Sequence, residues 1–543
     1  MPNCRHFLLL LGLSAAPLHQ AQAQTGTPLD EGRVDRSQPV AEPEPGEAVR
    51  PSEESLASVE SRGEGGVPIR TIRFVGTDVP LVVGEAAERF VGLPPTRENL
   101  RALTAALSAA YRGSDVALFT IVVPDQDLST GELKVLVAEG YIQEVVLQGE
   151  AEGSAAELVR AYAAKLTAER VTSRRKLERY LSLIRDIPGL KVQSRLETGT
   201  GRGAVRLVLT LDQAKPRLLF SYDNRSTRLI EDGQLEAKAR GYSLIRPGDQ
   251  TEVTGASSIN FNDLLYFGFS HSTPIGTEGA RLGLSVGHLE TSPSDTPLSG
   301  NAETFGITGT YPLIRSYRRN LTATLALDGV NSDNTAFGSI IASEKTRAAR
   351  AALGYSQVDR KTAINAGLTV SHGLDILGAS IQNVSGAVSF FKLNGQAGIT
   401  QTVGKAAFLR VKARGQWSDD PLPAVERFSV GGAEYGRAFE RGLISADRGI
   451  AGTAELALRP LRTGAFKASE IYSFVDYAYG GLLARPSFAA QNFDLASAGG
   501  GIRLGWRENA MIGLEAARTI DKPYPAYGSE WRFSVNWRLA LRR

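Results

Sequence analysis

Cysteine is almost absent from this chain of 543 residues, which contains only Cys4. Because Cys4 lies within a predicted secretion signal, the mature protein is expected to contain no cysteine. That excludes disulfides, cysteine-ligated zinc and a cysteine nucleophile from the mature protein. A chain without thiols is also suited to crossing an oxidising periplasm while it is still unfolded.

Long apolar runs and an excess charge of one sign are also lacking. Beyond the N-terminus no stretch is apolar enough to predict a transmembrane helix, although the alternating strands of a β-barrel escape such a scan. The chain has 61 basic and 58 acidic residues, a net charge of +3, so nothing indicates a nucleic-acid partner. Its length predicts more than one domain.

The N-terminal residues have the three parts of a secretory signal peptide, which we predict over residues 1–23. Arg5 supplies the positive charge, Phe7–Leu13 the apolar core and Ala21–Ala23 the small-residue cleavage site.

Residues 24–66 follow as an acidic, proline-rich segment without aromatic residues. Such a composition predicts disorder. The alternative is a short helix that Ser52 caps and that runs through Ser61.

No pattern in the chain predicts catalysis, a metal site or a cofactor. Gly283–Gly287 matches the serine-hydrolase elbow, but it lies in an alternating strand rather than at a strand-to-helix turn. Gly199–Gly203 is not followed by the Lys-Ser/Thr pair of a phosphate-binding loop, so it predicts a hairpin turn. The five histidines show no metal-ligand spacing. The protein is therefore not expected to be an enzyme.

Two consecutive segments, residues 67–140 and 141–213, predict the same small α+β unit. In the first, Thr96 can cap a helix with a leucine stripe, and Phe119–Val123 has the β-branched and aromatic character of a strand. The second repeats the plan, with an apolar helical stripe that ends at Pro188. The repetition indicates an array of two modules.

Residues 216–543 lose the helical period and alternate in short runs that glycine, proline, asparagine and aspartate interrupt. In the last run, Trp531, Phe533 and Val535 share one face, while Arg532 and Ser534 share the other. About sixteen runs of about ten residues fit an outer-membrane β-barrel. A soluble sandwich shows the same alternation, but the predicted signal peptide and the number of runs favour the barrel.

Arg437 and Asp476 are the candidate functional residues of this predicted barrel. Residues 418–449 form the longest break between the late strands, and Arg437 lies within them. Asp476 alternates with outward-facing positions on the predicted thirteenth strand, so it should face the lumen, where a carboxylate needs a cationic partner. A long loop that folds inward can supply one. The alternative is that both are ordinary polar residues of a β-protein.

Several short motifs occur in one order along the chain and together carry a family resemblance. They are Tyr111, Pro124-Asp125-Gln126, Gly131-Glu132-Leu133, Glu139-Gly140, Leu177, Ile187-Pro188-Gly189, Gly203, Asp223-Asn224, Gly248-Asp249, Phe428-Ser429-Val430-Gly431-Gly432, Gly436-Arg437-Ala438-Phe439, Asp447-Arg448-Gly449, Glu455-Leu456, Phe474 and Asp476. From about Val67 to Leu541 the chain resembles the two-partner secretion transporters. These are the haemolysin secretion/activation proteins of the ShlB/FhaC/HecB type, within the Omp85 superfamily.

The resemblance implies a fold and a set of site residues. The fold is two α+β POTRA modules in the periplasm, followed by an all-β barrel of sixteen antiparallel strands in the outer membrane of a Gram-negative bacterium. Arg437 and Asp476 would anchor an inward loop. The implied loop motif is Gly431, Gly432, Gly436, Ala438 and Phe439; the implied strand motif is Phe474 and Gly480; and the implied partner-binding positions of the first module are Pro124, Gln126 and Gly131.

The resemblance also implies partners. A secreted β-rich exoprotein, unfolded in transit, would be the cargo, outer-membrane lipid would surround the barrel, and the barrel-assembly machinery would act during biogenesis. The alternatives are an Omp85-type insertase and a passive porin.

The chain departs from the family pattern at three places. Ala438 stands where the family has glycine, residues 24–66 do not resemble a pore-plugging helix, and the chain ends in Arg542-Arg543 rather than an aromatic residue.

Overall fold

The computed structural model describes residues 56–61, 67–150, 153–227, 230, 233–461, 463–486, 488–507, 509–528 and 530–542. The predicted signal peptide and most of the predicted disordered segment lie outside these residues. In the described part of the chain, no helix has the length and apolarity needed to cross a membrane.

The first module contains four strands and two helices. They are β1 (Leu56–Val59), β2 (Thr71–Val75), α1 (Leu81–Glu88), α2 (Arg97–Gly113), β3 (Phe119–Val123) and β4 (Glu132–Glu139). The sheet order is β1-β3-β4-β2. As predicted, Thr96 caps α2, and its hydroxyl accepts a hydrogen bond from the Asn99 N–H at 3.2 Å. The leucine stripe of α2 packs onto the sheet and forms one apolar core with it.

Strand β1 corrects the expectation for residues 24–66. The predicted disorder, and the alternative helix ending at Ser61, both cover Leu56–Val59, but these four residues form a strand parallel to β3. The backbone of β3 supplies hydrogen-bonding groups along its edge, which fix an extended segment that has little structure-forming signal of its own.

The second module repeats the topology of the first. Its elements are β5 (Tyr141–Gly149), α3 (Ser154–Ala163), α4 (Arg174–Arg185), β6 (Leu190–Thr198) and β7 (Ala204–Gln213). Strand β5 pairs in parallel with β7, and β6 pairs antiparallel to it, as β2 and β3 do with β4 in the first module. Both helices bury their apolar faces against this sheet.

Among the described residues after the second module there are nineteen further strands. They are β8 (Arg217–Asp223), β9 (Gln234–Tyr242), β10 (Gln250–Ser258), β11 (Leu264–Ile275), β12 (Ala280–Thr291), β13 (Leu298–Arg315), β14 (Arg319–Ala336), β15 (Ser339–Val358), β16 (Thr362–Gly373), β17 (Ser380–Gln382), β18 (Phe391–Val403), β19 (Ala407–Trp417), β20 (Phe428–Val430), β21 (Ile444–Ala446), β22 (Arg448–Leu458), β23 (Glu470–Leu482), β24 (Gln491–Trp506), β25 (Ala510–Asp521) and β26 (Trp531–Arg542).

Sixteen of these strands form a closed antiparallel barrel, which confirms the predicted fold class. Each pairs with its neighbour, and the last strand, β26, pairs with the first, β8. Strand β17 adds a short pairing to β15, and β20 and β21 form a separate hairpin.

The barrel wall alternates between outward and inward residues, as the sequence pattern predicts. On β23, Ile471 and Val475 are exposed while Tyr472 and Phe474 are buried. The exposed aliphatic and aromatic side chains on the outside make a surface suited to lipid.

The second module packs against one end of the barrel, which we call the module end; the opposite end is the far end. The β11–β12 turn carries Glu278, which accepts hydrogen bonds from the Tyr180 hydroxyl and the Lys165 ammonium. Arg315, at the β13–β14 turn, forms a salt bridge with Asp186. The second module is therefore fastened to the rim of the barrel by polar contacts from two turns.

Candidate functional site

The long connection between β19 and β22 leaves the far end of the wall and folds back into the lumen. It corresponds to the predicted break at residues 418–449 and contains the β20–β21 hairpin and a 3-10 turn at Ala424–Glu426. Phe439 is completely buried, in a cluster that also contains Leu495 of the wall. The segment, called the inward loop below, is packed against the inner wall rather than extended into solvent.

The glycines of the predicted loop motif allow tight backbone turns. Gly431, Gly432 and Gly436 all have positive φ. A Cβ at Gly431 would lie 2.0 Å from the Glu440 carbonyl oxygen, so no side chain fits there. Ala438 is not in the left-handed region, so the replacement of the family's glycine by alanine causes no backbone strain.

Arg437 places its guanidinium among several wall residues. Its Nη1 donates to Glu455 Oε2 at 3.1 Å and to Glu515 Oε2 at 3.3 Å, and its Nη2 donates to the Thr453 hydroxyl at 3.1 Å. The guanidinium carbon lies 3.9 Å from the centre of the Phe474 ring. Hydrogen bonds, charge and a cation–π contact thus act on one side chain.

Asp476 contacts Arg437 chiefly through the backbone. Its Oδ2 accepts the Arg437 backbone N–H at 3.0 Å and the Ser497 hydroxyl at 3.2 Å. The Nε of Arg437 lies 3.7 Å from the same oxygen, which is an ionic contact beyond usual hydrogen-bond length. The structure therefore brings the two predicted residues together, but the nearest carboxylates to the guanidinium are those of Glu455 and Glu515.

A larger charge cluster surrounds Glu455 at the module-end side of Arg437. Glu455 accepts hydrogen bonds from Arg410 at 2.9 Å and from both Nη atoms of Arg503 at 2.8 Å. Glu470 accepts from Arg410, Arg503 and Arg459. Each acid is paired with more than one arginine, so the cluster keeps its carboxylates compensated even if one cation is removed.

Glu515 connects Arg437 to the beginning of the barrel. Its Oε2, which binds Arg437, also accepts a hydrogen bond from the Tyr472 hydroxyl at 2.8 Å. Its Oε1 accepts a hydrogen bond from Arg225 at 3.3 Å. Arg225 in turn pairs with Asp223 at the end of β8. The loop arginine is thereby linked to β25 and to the end of β8, the two strands that flank β26.

Asp447 fastens the point where the inward loop returns to the wall. It is fully buried and forms a bidentate pair with Arg485 at 2.8 and 2.9 Å. Its oxygens also accept the backbone N–H groups of Leu422 and Leu483, both at 2.7 Å. One carboxylate therefore joins the two ends of the inward loop to the next far-end connection.

The second predicted strand-motif residue, Gly480, lies where the loop touches the wall. A Cβ at this position would lie 2.8 Å from Ile444 Cγ2 and 3.0 Å from Ala446 Cβ. Glycine here permits the β20–β21 hairpin to approach strand β23 closely.

The three partner-binding positions predicted in the first module all lie in the β3–β4 connection. The Gln126 amide donates to the Lys134 carbonyl and accepts the Lys134 N–H, both at 2.8 Å, as a strand neighbour would. Gly131 has positive φ, and its carbonyl accepts the Arg70 N–H at 2.7 Å. Pro124 follows β3 directly. These residues shape the turn, and their role in partner binding stays a prediction.

Reasoning from the sequence missed Glu515, Arg503 and Glu470 as members of the site, and it cited Glu455 only as part of a motif. Each is a charged residue at an inward position of an alternating strand. That signal predicts a buried ion-pair partner for each, but it does not say which strand supplies the partner. Among the described residues, no group of acidic, histidine or cysteine side chains is arranged to hold a metal ion.

Comparisons with known proteins agree with this architecture. A profile of the ShlB-type POTRA domain matches residues 67–140, and one described as haemolysin secretion/activation protein ShlB/FhaC/HecB matches residues 203–504. The heme/hemopexin transporter protein HuxB of Haemophilus influenzae is 21% identical over 535 residues, which cover 94% of this chain and 93% of that protein.

Solved structures show the same fold. CdiB from Escherichia coli superposes with a TM-score of 0.71 at 18% identity, covering 88% of this chain and 91% of that one. CdiB from Acinetobacter baumannii gives 0.62 at 17% identity, covering 92% and 95%. BamA from Haemophilus ducreyi lacking POTRA domains 1–3 gives 0.50 at 12% identity, covering 87% and 100%. Since the second profile spans more than half of the chain, the protein belongs to the ShlB/FhaC/HecB family of haemolysin secretion/activation proteins.

Proposed function

We propose that this protein exports one large, β-rich exoprotein, which its periplasmic modules capture unfolded and which then passes through the barrel. As a member of a two-partner secretion family, the protein is an outer-membrane transporter of a Gram-negative bacterium, with its POTRA region in the periplasm. The observation that carries the proposal is a closed barrel whose lumen contains a loop held through polar contacts, with modules at its mouth.

Capture would use the sheet edges of the modules. Strand β1 pairs along the edge of β3 over four residues, so this edge accepts an extended segment. Within the residues that the structure describes, the outer edges of β2 and β6 pair with no further strand. Backbone hydrogen bonds at such edges hold an extended chain with little demand on its sequence. Residues 67–140 and 141–213 would act as the two capture modules.

Passage through residues 216–543 would require the inward loop to leave its position. Arg437 and Asp476 would fix the loop in the resting protein, together with Glu455 and Glu515. A buried ion pair adds little net stability compared with apolar packing, so its role would be to select one loop position. Folding of the exoprotein outside the cell would then make the transfer one-way.

The alternative function is an insertase that assembles other barrels in the outer membrane. The superposition on BamA is consistent with the shared barrel but is the weaker likeness, at a TM-score of 0.50 against 0.71 for CdiB. The barrel-assembly machinery would act on this protein only while its own barrel is formed.

The test compares secreted and outer-membrane proteomes of cells with and without the protein, complemented with wild type, Arg437→Ala or the exposed loop control Glu434→Gln. Cells without the protein are expected to lose one large exoprotein from the secreted fraction. Wild type and Glu434→Gln should restore its secretion, and Arg437→Ala should restore it only poorly. A broad fall in outer-membrane barrels with no single missing exoprotein would instead establish the insertase function.

A further inference from the structure

A second group of buried charges holds the inward loop on a different sector of the wall from Arg437. The 3-10 turn Ala424–Glu426 lies against strands β15 and β18. The Glu426 carboxylate is 1% exposed, and it accepts hydrogen bonds from Arg350 at 2.8 and 3.2 Å and from Lys392 at 2.8 Å. A carboxylate so buried is stable only because two cations compensate it.

On the wall side of this group, Arg350 is also held by residues that do not belong to the loop. Arg350 also binds both oxygens of Asp328 on β14, at 2.6 and 3.0 Å, and the Ser371 hydroxyl on β16 at 3.0 Å. On the wall Asp328 pairs with Arg350, and the loop supplies Glu426, which pairs with both Arg350 and Lys392.

The backbone of the same turn is also held by the wall. The Ala424 N–H donates to both oxygens of Glu344 on β15, at 3.1 and 3.0 Å. The Glu426 carbonyl accepts from Lys392 at 3.0 Å and from Gln416 at 3.1 Å. These contacts fix the position of the turn as well as its charge.

The two sets of contacts lie on different sectors of the barrel. Arg437 binds β22, β23 and β25, whereas Glu426 binds β15 and β18 and, through Arg350, reaches β14. Strand β19, whose Gln416 binds the Glu426 carbonyl, lies between the two sectors, so the loop spans both of them along the inner wall. One contact can be lost while the other still holds part of the loop in the lumen.

We propose that Glu426 is a second positioning residue of the inward loop, and that it keeps the pore obstructed independently of Arg437. Opening of the pore would require both contacts to release. The relevance of this device to export rests on the proposed function, but the obstruction itself is a property of the purified barrel and can be measured without an exoprotein.

The experiment records single-channel currents of the full-length protein in planar lipid bilayers. The variants are Glu426→Gln, Lys392→Gln and the exposed loop control Glu434→Gln. Glu426→Gln leaves Arg350 bound to Asp328, so the barrel should fold; its heat-modifiable migration in gels checks this. Lys392→Gln removes only one of the two cations and provides a milder variant should Glu426→Gln fail to assemble.

Glu426→Gln should increase the fraction of time that the pore is open by at least about tenfold, which equals about 1.4 kcal/mol. Lys392→Gln should give a smaller increase, and Glu434→Gln should match wild type. Adding Arg437→Ala to Glu426→Gln should multiply the two effects, since distant independent contacts are additive in free energy.

Two results would overturn the inference: an open fraction for folded Glu426→Gln and Lys392→Gln equal to that of wild type, or a double variant no more open than Arg437→Ala alone. Secretion assays on the same strains separate this from the proposed function. If wild type exports no partner, export fails as the function, while the currents still decide the role of Glu426.

Discussion

Replacing Arg437 by alanine should release the inward loop much more than replacing Asp476 by asparagine. The guanidinium donates to two buried glutamates and a threonine, whereas Asp476 is 3.7 Å from Nε and mainly accepts the backbone N–H of Arg437. An asparagine oxygen can still accept that N–H. The neutral amide also avoids the cost of burying a carboxylate.

The expected magnitudes follow from what each change leaves behind. Breaking a buried ion pair costs about 3–5 kcal/mol when the remaining charge is uncompensated. After Arg437→Ala, Glu455 still binds Arg410 and Arg503, and Glu515 still binds Arg225. The cost should therefore lie at the lower end of this range. About 3 kcal/mol changes the ratio of released to bound loop roughly a hundredfold. Asp476→Asn should cost about 1 kcal/mol, or roughly fivefold.

The assay is maleimide labelling of a cysteine placed at Ala438. This side chain is buried in the loop, and the chain's one natural cysteine, Cys4, can be changed to serine. Because labelling requires the loop to move away from the wall, the rate reports the released population. Equal rates for Arg437→Ala and Asp476→Asn, or an Arg437→Ala rate equal to that of the parent, would contradict the reasoning.

Three further outcomes are expected. Asp447→Asn should lower the thermal stability of the folded barrel, because it leaves the buried Arg485 uncompensated. Adding Arg485→Met should restore part of that stability. Gel migration after heating measures the stability of the single and the double variant. Gly431→Ala should prevent the loop from packing against the wall, since the added Cβ would lie 2.0 Å from a carbonyl oxygen. Increased protease cleavage within the loop would show this. Glu278 has its pKa held below its usual value: burial opposes this, but hydrogen bonds from Lys165 and Tyr180 outweigh burial. Its contribution to the module–barrel contact should therefore be complete above the unfolded pKa of about 4.3 and should be lost as pH falls through the lower folded pKa; hydrogen exchange of the β11–β12 turn checks the direction.

The alternating pattern made much of the barrel predictable. Inward and outward positions on β23 follow the sequence with period two, because a membrane barrel needs apolar groups on every outward position. The predicted strand count places Asp476 on the thirteenth barrel strand, as the structure has it. The helix of Thr96 followed in the same way from a cap and an apolar stripe.

The partners of Arg437 were not predictable from the sequence for a different reason. Glu515 is separated from Arg437 by 78 positions, and no local pattern relates the two. The alternating pattern predicts that Glu515 faces inward. Which cation it binds depends on the path of the inward loop and on the register of three strands. Strand β1 was missed because its four residues are fixed by the edge of β3 rather than by their own propensity.

The seam between β26 and β8 sets the order in which this protein can mature. Residues 309 positions apart meet there, as in the hydrogen bond from Asn224 to the Phe533 carbonyl. Closure of so large a loop is entropically costly and slow compared with the formation of neighbouring hairpins. The cylinder cannot be completed until the final strand has been synthesised and delivered. Until then two unpaired edges are open to incorrect association, so a chain truncated before β26 should be a substrate for periplasmic proteases rather than a smaller pore.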